Sequence, residues 1–297
     1  MQNYWWVLAI SLSLMMTAYV SLNQFIRVKG SLLMIYRGLG TALIMLPFIP
    51  LFAPIHNWGF YGLCLMQGLV ISYGDNRILN SAKTFGAEVT SLIHPLSIAF
   101  IFLFWIVLHP SELNVFLNHP LHFGAIILCL AGVTVAMILI CKARANRKAL
   151  LFLAGGMLCE IFIDITNKET THLGAENIVS AIFYYTLLTS LVAGTCNLCF
   201  YLKGGRKLKE IVAVKNLRYS WFFMLFAIVF AGIKTYAMYL TPNPAYVAAI
   251  VHCYPVWIML GNNVYFKLHK IGNYARVNPK FLSLLLISII GLIFIVE

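Results

Sequence analysis

Charge is what this chain lacks. Of its 297 residues only 10% are Asp, Glu, Lys or Arg, and nine of these are acidic, while 61% are hydrophobic and the mean hydropathy is +0.87. A soluble domain is about a quarter charged and about half apolar. A chain of this size cannot hide such an apolar excess in one core, so its solvent is a bilayer. Also missing is any polar stretch long enough to fold as a soluble domain, which excludes functions that need one, ATP hydrolysis among them. The phosphate-cradling G-x-x-x-x-G-K-[ST] is absent, leaving primary pumping unsupported. H-E-x-x-H and G-x-S-x-G are absent too, which argues against a multi-pass membrane enzyme doing metal-assisted or acyl chemistry. The seven cysteines (64, 129, 141, 159, 196, 199, 253) lie in apolar stretches. Cys196 and Cys199 form a C-x-x-C without a histidine nearby and read as packing residues, so no metal and no cofactor are expected.

What is present is a series of apolar runs. A hydrocarbon core about 30 Å thick takes roughly 20 residues of helix. Ten segments qualify, at 3–22, 31–53, 58–79, 86–108, 122–141, 149–168, 176–202, 219–240, 244–266 and 280–296. The first has neither a basic n-region nor a small-residue cleavage site, and reads as a retained span rather than a signal peptide. The expected fold class is therefore an all-α membrane protein of ten transmembrane helices. Seventeen basic residues fall in the odd-numbered loops: Arg27, Lys29; Lys83; Lys142, Arg144, Arg147, Lys148; Lys203, Arg206, Lys207, Lys209, Lys215, Arg218; Lys267, Lys270, Arg276, Lys280. The even loops hold one, Lys168. The positive-inside rule puts the odd loops in the cytoplasm and both termini outside. The net charge of +12 then reports orientation rather than a nucleic-acid partner. Short tails and loops suit a bacterial inner membrane, as a monomer or a homodimer.

The chain also repeats itself. SAKTFGAEVTSLIHPL at 81–96 and TPNPAYVAAIVHCYPV at 241–256 align with a shift of 160, placing Pro95 on Pro255. Spans five and ten match around Gly132-Val133 and Gly291-Leu292. Spans one and six end in YVSLNQ and DITNK, with Asn23 beside Asn167. Residues 1–141 and 149–297 then form two five-helix repeats joined by a basic linker at 142–148. Because five is odd, the copies run in opposite directions through the membrane, the arrangement of a machine that opens to either side.

With Arg37 early in span two (IYRGLGTALIMLPF), small residues entering spans four and nine, Pro95 and Pro255, and ITNK closing span six, the chain resembles the drug/metabolite transporter superfamily of the EamA type over its whole length. The resemblance implies a carrier of amino acids, drugs, sugars, nucleotide sugars or choline. It also implies termini in the cytoplasm, the reverse of what the loop charges say.

Ionisable groups inside spans cost about 2.5–3.5 kcal/mol each on insertion scales and tend to mark function. Glu160 and Asp164 sit four apart on one helical face, and Lys234 of span eight is the cation at matching depth. That face reads either as the wall of a polar cavity, holding a substrate amine or a coupling proton, or as a static Asp164–Lys234 clamp. Arg37 and Asp75 can pair across spans two and three. Arg77 and Glu88 lie near span ends and read as interfacial. His94 and His252 stand near the two prolines, where they can titrate near neutrality or bond a freed carbonyl. Tyr73, Tyr236, Tyr254 and Trp257, on the spans that line the cavity in the resembled superfamily, read as an aromatic wall or as core packing. Pro95 and Pro255 read as hinges. The function these features suggest is secondary active transport of a small polar metabolite, an amino acid or related amine, driven by protons or counter-substrate. The alternatives are a phosphorylated, nucleotide-sugar or lipid-linked cargo, or a membrane enzyme.

Overall fold

The computed structural model of the chain describes residues 4–26, 30–85, 93–141, 147–269 and 278–297. Glu88 and the small-residue entry at Gly86-Ala87 lie outside these residues, and so does the side chain of Asn23. The described residues are helical nearly throughout, with no strand among them. The helices are α1 (Trp5–Ile26), α2 (Gly30–Leu51), α3 (Trp58–Phe85), α4 (Ile93–Leu108), α5 (Pro110–Asn118), α6 (Pro120–Cys141), α7 (Arg147–Leu173), α8 (Ile178–Lys203), α9 (Val214–Leu240), α10 (Pro244–Val251), α11 (Tyr254–His269) and α12 (Pro279–Val296). A single turn at Leu208–Ile211 interrupts the long basic loop.

Among the described residues, six segments are long and apolar enough to cross a membrane: α2, α6, Ala175–Lys203, Ser220–Leu240, Pro244–Gly261 and α12. A seventh is added if α4 and α5, bent by 102°, form one span. This is the make-up of a multi-pass membrane protein. Of the remaining expected spans, α1 is a shorter apolar helix over Trp5–Ser21. Helices α3 and α7, with 28 and 27 residues, reach about 40 Å at a rise of 1.5 Å per residue. They carry the acidic residues of the candidate site, Asp75 on α3 and Glu160 and Asp164 on α7.

Proline sets the helix starts. Pro110, Pro120, Pro244 and Pro279 each open a helix, where the missing N–H has no intrahelical partner to lose. The residue before each is pushed out of helical geometry: His109 sits at φ −122°, ψ 76° and His119 at φ −128°, ψ 66°. The sequence reading made 109–121 a plain connection. The structure fills it with α5, because two histidine–proline steps end one helix and begin the next. Asn243 and Asn278 cap α10 and α12, their Oδ1 atoms accepting from Ala245 N at 2.9 Å and Lys280 N at 3.0 Å. Pro47 and Pro50 turn the end of α2 into a 3-10 stretch.

Inside a bilayer, apolar side chains gain little by leaving lipid for protein, so helices associate through close packing and small residues. Three glycines show this. A Cβ on Gly38 of α2 would lie 2.3 Å from the Cα of Gly194 on α8, so the two backbones touch. On the α6–α12 pair, a Cβ on Gly132 would meet Ser288 Oγ at 2.2 Å, and one on Gly291 would meet Cys129 Sγ at 3.1 Å. Each glycine faces the residue three positions before the other, so the contact is reciprocal. The pairing of helices is reciprocal too: α3 packs on α7 as α9 packs on α1, and α4 on α7 as α10 and α11 on α1. Trp6 Nε1 donates to Glu297 Oε1 at 2.7 Å, bringing the first and last helices to the same end of the bundle. All eight residues of α10 are buried, while Val107, Leu128 and Phe294 are more than 70% exposed on the outer surface.

The glycine crossing makes a checkable claim. Gly38→Ala places a methyl group against backbone, which cannot rotate away. It should lower unfolding stability in detergent by about 1–3 kcal/mol, the usual cost of overpacking. Gly62→Ala, with nothing within 4 Å of its Cβ, should leave the unfolding temperature unchanged or raised.

Candidate functional site

Helix α7 supplies the centre of the site. Glu160 Oε1 is 2.7 Å from His94 Nδ1 of α4 and 3.3 Å from Nε2 of His252, which sits at the break between α10 and α11. His94 is held on its other nitrogen by Tyr254 Oη at 2.7 Å. His94 and Tyr254 stand 160 residues apart in the sequence, the shift at which 81–96 was aligned with 241–256. One turn along α7, Asp164 is wholly buried and accepts a hydrogen bond from Lys234 Nζ of α9 at 2.5 Å. Its second oxygen is 3.9 Å from His252 Nε2. Glu160 Oε2, Asp164 Oδ2 and Asn167 Oδ1 are buried acceptors with no hydrogen-bond donor among the described residues. A carboxylate oxygen left so is costly without a donor.

A second ion pair joins Arg37 Nη2 to Asp75 Oδ2, linking α2 and α3. Arg37 stands on a π turn, Tyr36–Gly40, in the middle of α2. Such turns are rare and concentrate at functional sites. Between the two charge groups lies a cavity of about 280 Å³, lined by Arg37 and Asp75 on one side and by His94, Glu160, Asp164 and Lys234 on another. The Nδ2 of Asn167 and the Nε2 of Gln67 both donate to Tyr185 Oη, at 2.9 and 2.7 Å, closing a further part of the wall.

The structure therefore brings together most of the residues singled out in the sequence: Glu160, Asp164, Lys234, His94, His252 and Tyr254 in one network, with Arg37 and Asp75 across the cavity. Trp257 belongs elsewhere, donating from Nε1 to Ser13 Oγ of α1 at 3.0 Å. Tyr73 and Tyr236 are 50% and 41% exposed on the outer surface, so they do not join an aromatic wall. Pro255 follows the break at His252-Cys253, and Pro95 lies in the first turn of α4. Asn23 sits near the end of α1.

Several polar contacts escaped the sequence reading. Lys168 is no loop residue: its Nζ donates to the carbonyls of Met238 at 2.8 Å and Thr241 at 2.5 Å, closing the C-terminal end of α9, where a cation is favoured. Asn197 of α8 receives Ser72 Oγ at 3.0 Å and Asn76 Nδ2 at 2.6 Å from α3. A lone asparagine in an apolar span was the available signal.

In comparison with known proteins, neither a protein-family model nor a curated protein matches the chain.

Removing one partner of a buried pair leaves an uncompensated charge and typically costs about 3–5 kcal/mol. Lys234→Met should destabilise the protein by an amount of that order in thermal or denaturant unfolding. Lys234→Met combined with Asp164→Asn should recover much of the loss. A double variant no more stable than Lys234→Met would show that the pair is not the clamp its geometry describes.

Proposed function

We propose that the protein is a secondary transporter that carries a small polar metabolite, an amino acid or related amine, across the membrane by alternating access. In this reading it crosses ten times, as two inverted five-helix repeats of the drug/metabolite transporter kind. The observation that carries the reading is the cavity between Arg37–Asp75 and the Glu160–Asp164 face of α7, which offers both signs of charge inside an apolar bundle. Its volume of about 280 Å³ lies at or below the lower edge of drug-sized pockets, about 300–1,000 Å³. That size favours an amino acid over a nucleotide-sugar or lipid-linked cargo. Glu160 and Asp164 suit an ammonium group, and Arg37 suits a carboxylate.

The bonding pattern supports two moving halves. Arg37–Asp75 lies within residues 1–141, and Asp164–Lys234 lies within residues 149–297. Among the contacts across the halves is the bond of His94 to Glu160 and Tyr254, which a proton or a cargo amine can rearrange. Reciprocal glycine contacts and helix pairings support the inverted repeat, and the meeting of Trp6 with Glu297 suits an even number of crossings.

A ligand that binds the folded state raises its stability by mass action, by about 2.7 kcal/mol at a hundred times the dissociation constant. Purified protein screened against amino acids and amines should show a raised unfolding temperature with at least one. Counterflow of that compound in proteoliposomes should fall at least about tenfold in Glu160→Gln, the loss expected when a contact worth about 1.4 kcal/mol is removed. No stabilisation and no uptake across that set would overturn the proposal. Pro255→Ala, which restores a donor beside the α10–α11 break, should slow exchange while preserving ligand-induced stabilisation. Unchanged exchange kinetics would remove the hinge role.

A further inference from the structure

A second cluster of ligating side chains lies apart from the cavity, where the corner between α4 and α5 meets the end of α7. His109 occupies the corner itself, held between the last turn of α4 and Pro110. Its ring stacks on Trp105, with centroids 3.9 Å apart and planes inclined by 27°. Trp105 is anchored in turn by its Nε1, which donates to Glu112 Oε1 of α5 at 3.0 Å. His109 Nδ1 lies 3.2 Å from the carbonyl of Trp105. A carbonyl oxygen only accepts, so Nδ1 carries the proton in that bond, and in the neutral ring Nε2 presents a lone pair. That lone pair faces Glu169 Oε1 at 2.9 Å.

Two acceptors do not sit at that distance without a positive charge between them. A proton is one solution, giving an imidazolium–carboxylate pair. It leaves the third member unexplained. His172 follows Glu169 by one helical turn on α7, and one ligand atom from each of His109, Glu169 and His172 lies within 4.8 Å of the others. Glu-x-x-His on one helix face, completed by a histidine from another element, is a metal-binding geometry. The second nitrogen of His109 bonded to a backbone carbonyl is the outer-shell arrangement that orients a metal-ligating histidine. The neighbouring cation, Lys168, is directed away, its Nζ donating to the carbonyls of Met238 and Thr241. Glu112 adds a second carboxylate near His109.

We infer that His109, Glu169 and His172 form a binding site for a divalent transition metal of the zinc type, built by the bend between α4 and α5. Two imidazoles and one carboxylate suit zinc or cobalt and do not suit calcium or magnesium, which take oxygen ligands. A bound ion ties the α4–α5 corner to the end of α7, across residues from both halves of the chain. The site is independent of the identity of the cargo.

The test uses full-length protein purified without a histidine tag, stripped with a chelator and titrated with Zn²⁺, with Mg²⁺ as control. One Zn²⁺ should bind per chain and raise the unfolding temperature, and Mg²⁺ should do neither. His172→Ala stands outside the His109–Glu169 contact and on an exposed side chain, so it should fold normally. It should weaken Zn²⁺ by more than the roughly 10–100-fold that loss of an outer-shell hydrogen bond costs. His109→Ala should do the same. Glu160→Gln should bind Zn²⁺ as the unaltered protein does, because the other close set of ligand atoms, His94, Glu160 and His252, belongs to the cavity. No Zn²⁺ retained, equal retention in His172→Ala, or loss in Glu160→Gln alone would each overturn the assignment.

Discussion

A carboxylate with no exposure at all has to be answered by a cation, and Asp164 is answered by Lys234. The rest of the site depends on that requirement. It fixes the rotation of α7 against α9, and the rotation of α7 decides where Glu160 points. With Asp164 committed to Lys234, Glu160 one turn away has no cation left on its own side. It reaches instead to His94 and His252. A titratable residue thus bonds to other titratable residues at the centre of an apolar bundle, while the permanent charges hold the frame. On the far side Arg37 and Asp75 repeat the arrangement between α2 and α3. The Arg37–Asp75 pair lies within residues 1–141 and the Lys234–Asp164 pair within 149–297, while the bonds of His94 run between these segments.

The glycines act at the same boundary in a different way. Gly38 against Gly194, and Gly132 and Gly291 against their neighbours, bring the backbones of α2 and α8, and of α6 and α12, close together, with larger side chains packed on either side. Small residues permit close approach and leave dispersion as the main attraction. These close approaches lie between residues 1–141 and 149–297, as the histidine bonds do.

How much of this was legible in the sequence follows from the kind of constraint involved. Asp164–Lys234 and Arg37–Asp75 could be read because charges in an apolar span are few and depth along a helix follows from counting residues. The helix character of the chain could be read from composition alone. The partners of Glu160 could not, because depth does not give rotation: His94 and His252 reach it only once α4 and the α10–α11 break are packed on α7. Tyr73 and Tyr236 lie on spans that the resemblance places around the cavity, but the rotation of those helices turns both side chains outward. His109, Glu169 and His172 were missed because the bend that assembles them was taken for a loop. The His109-Pro110 step that makes the bend was in plain sight.

Lys168 shows how a structural correction can sharpen a sequence argument. Counted as a loop residue, it was the single base on the side opposite seventeen others. Its side chain is 3% exposed and closes the end of α9 through three carbonyls, those of Met238, Tyr239 and Thr241. A buried capping ammonium answers a helix terminus and says nothing about which aqueous phase lies beyond. Removed from the count, it leaves the even loops without a basic residue. The positive-inside rule weighs loop bases near span ends, so this correction supports odd loops in the cytoplasm and termini outside. That orientation is the opposite of the one the transporter resemblance implies. An inverted repeat tolerates the reversal, because turning such a bundle over exchanges its two halves and leaves the site between them in place.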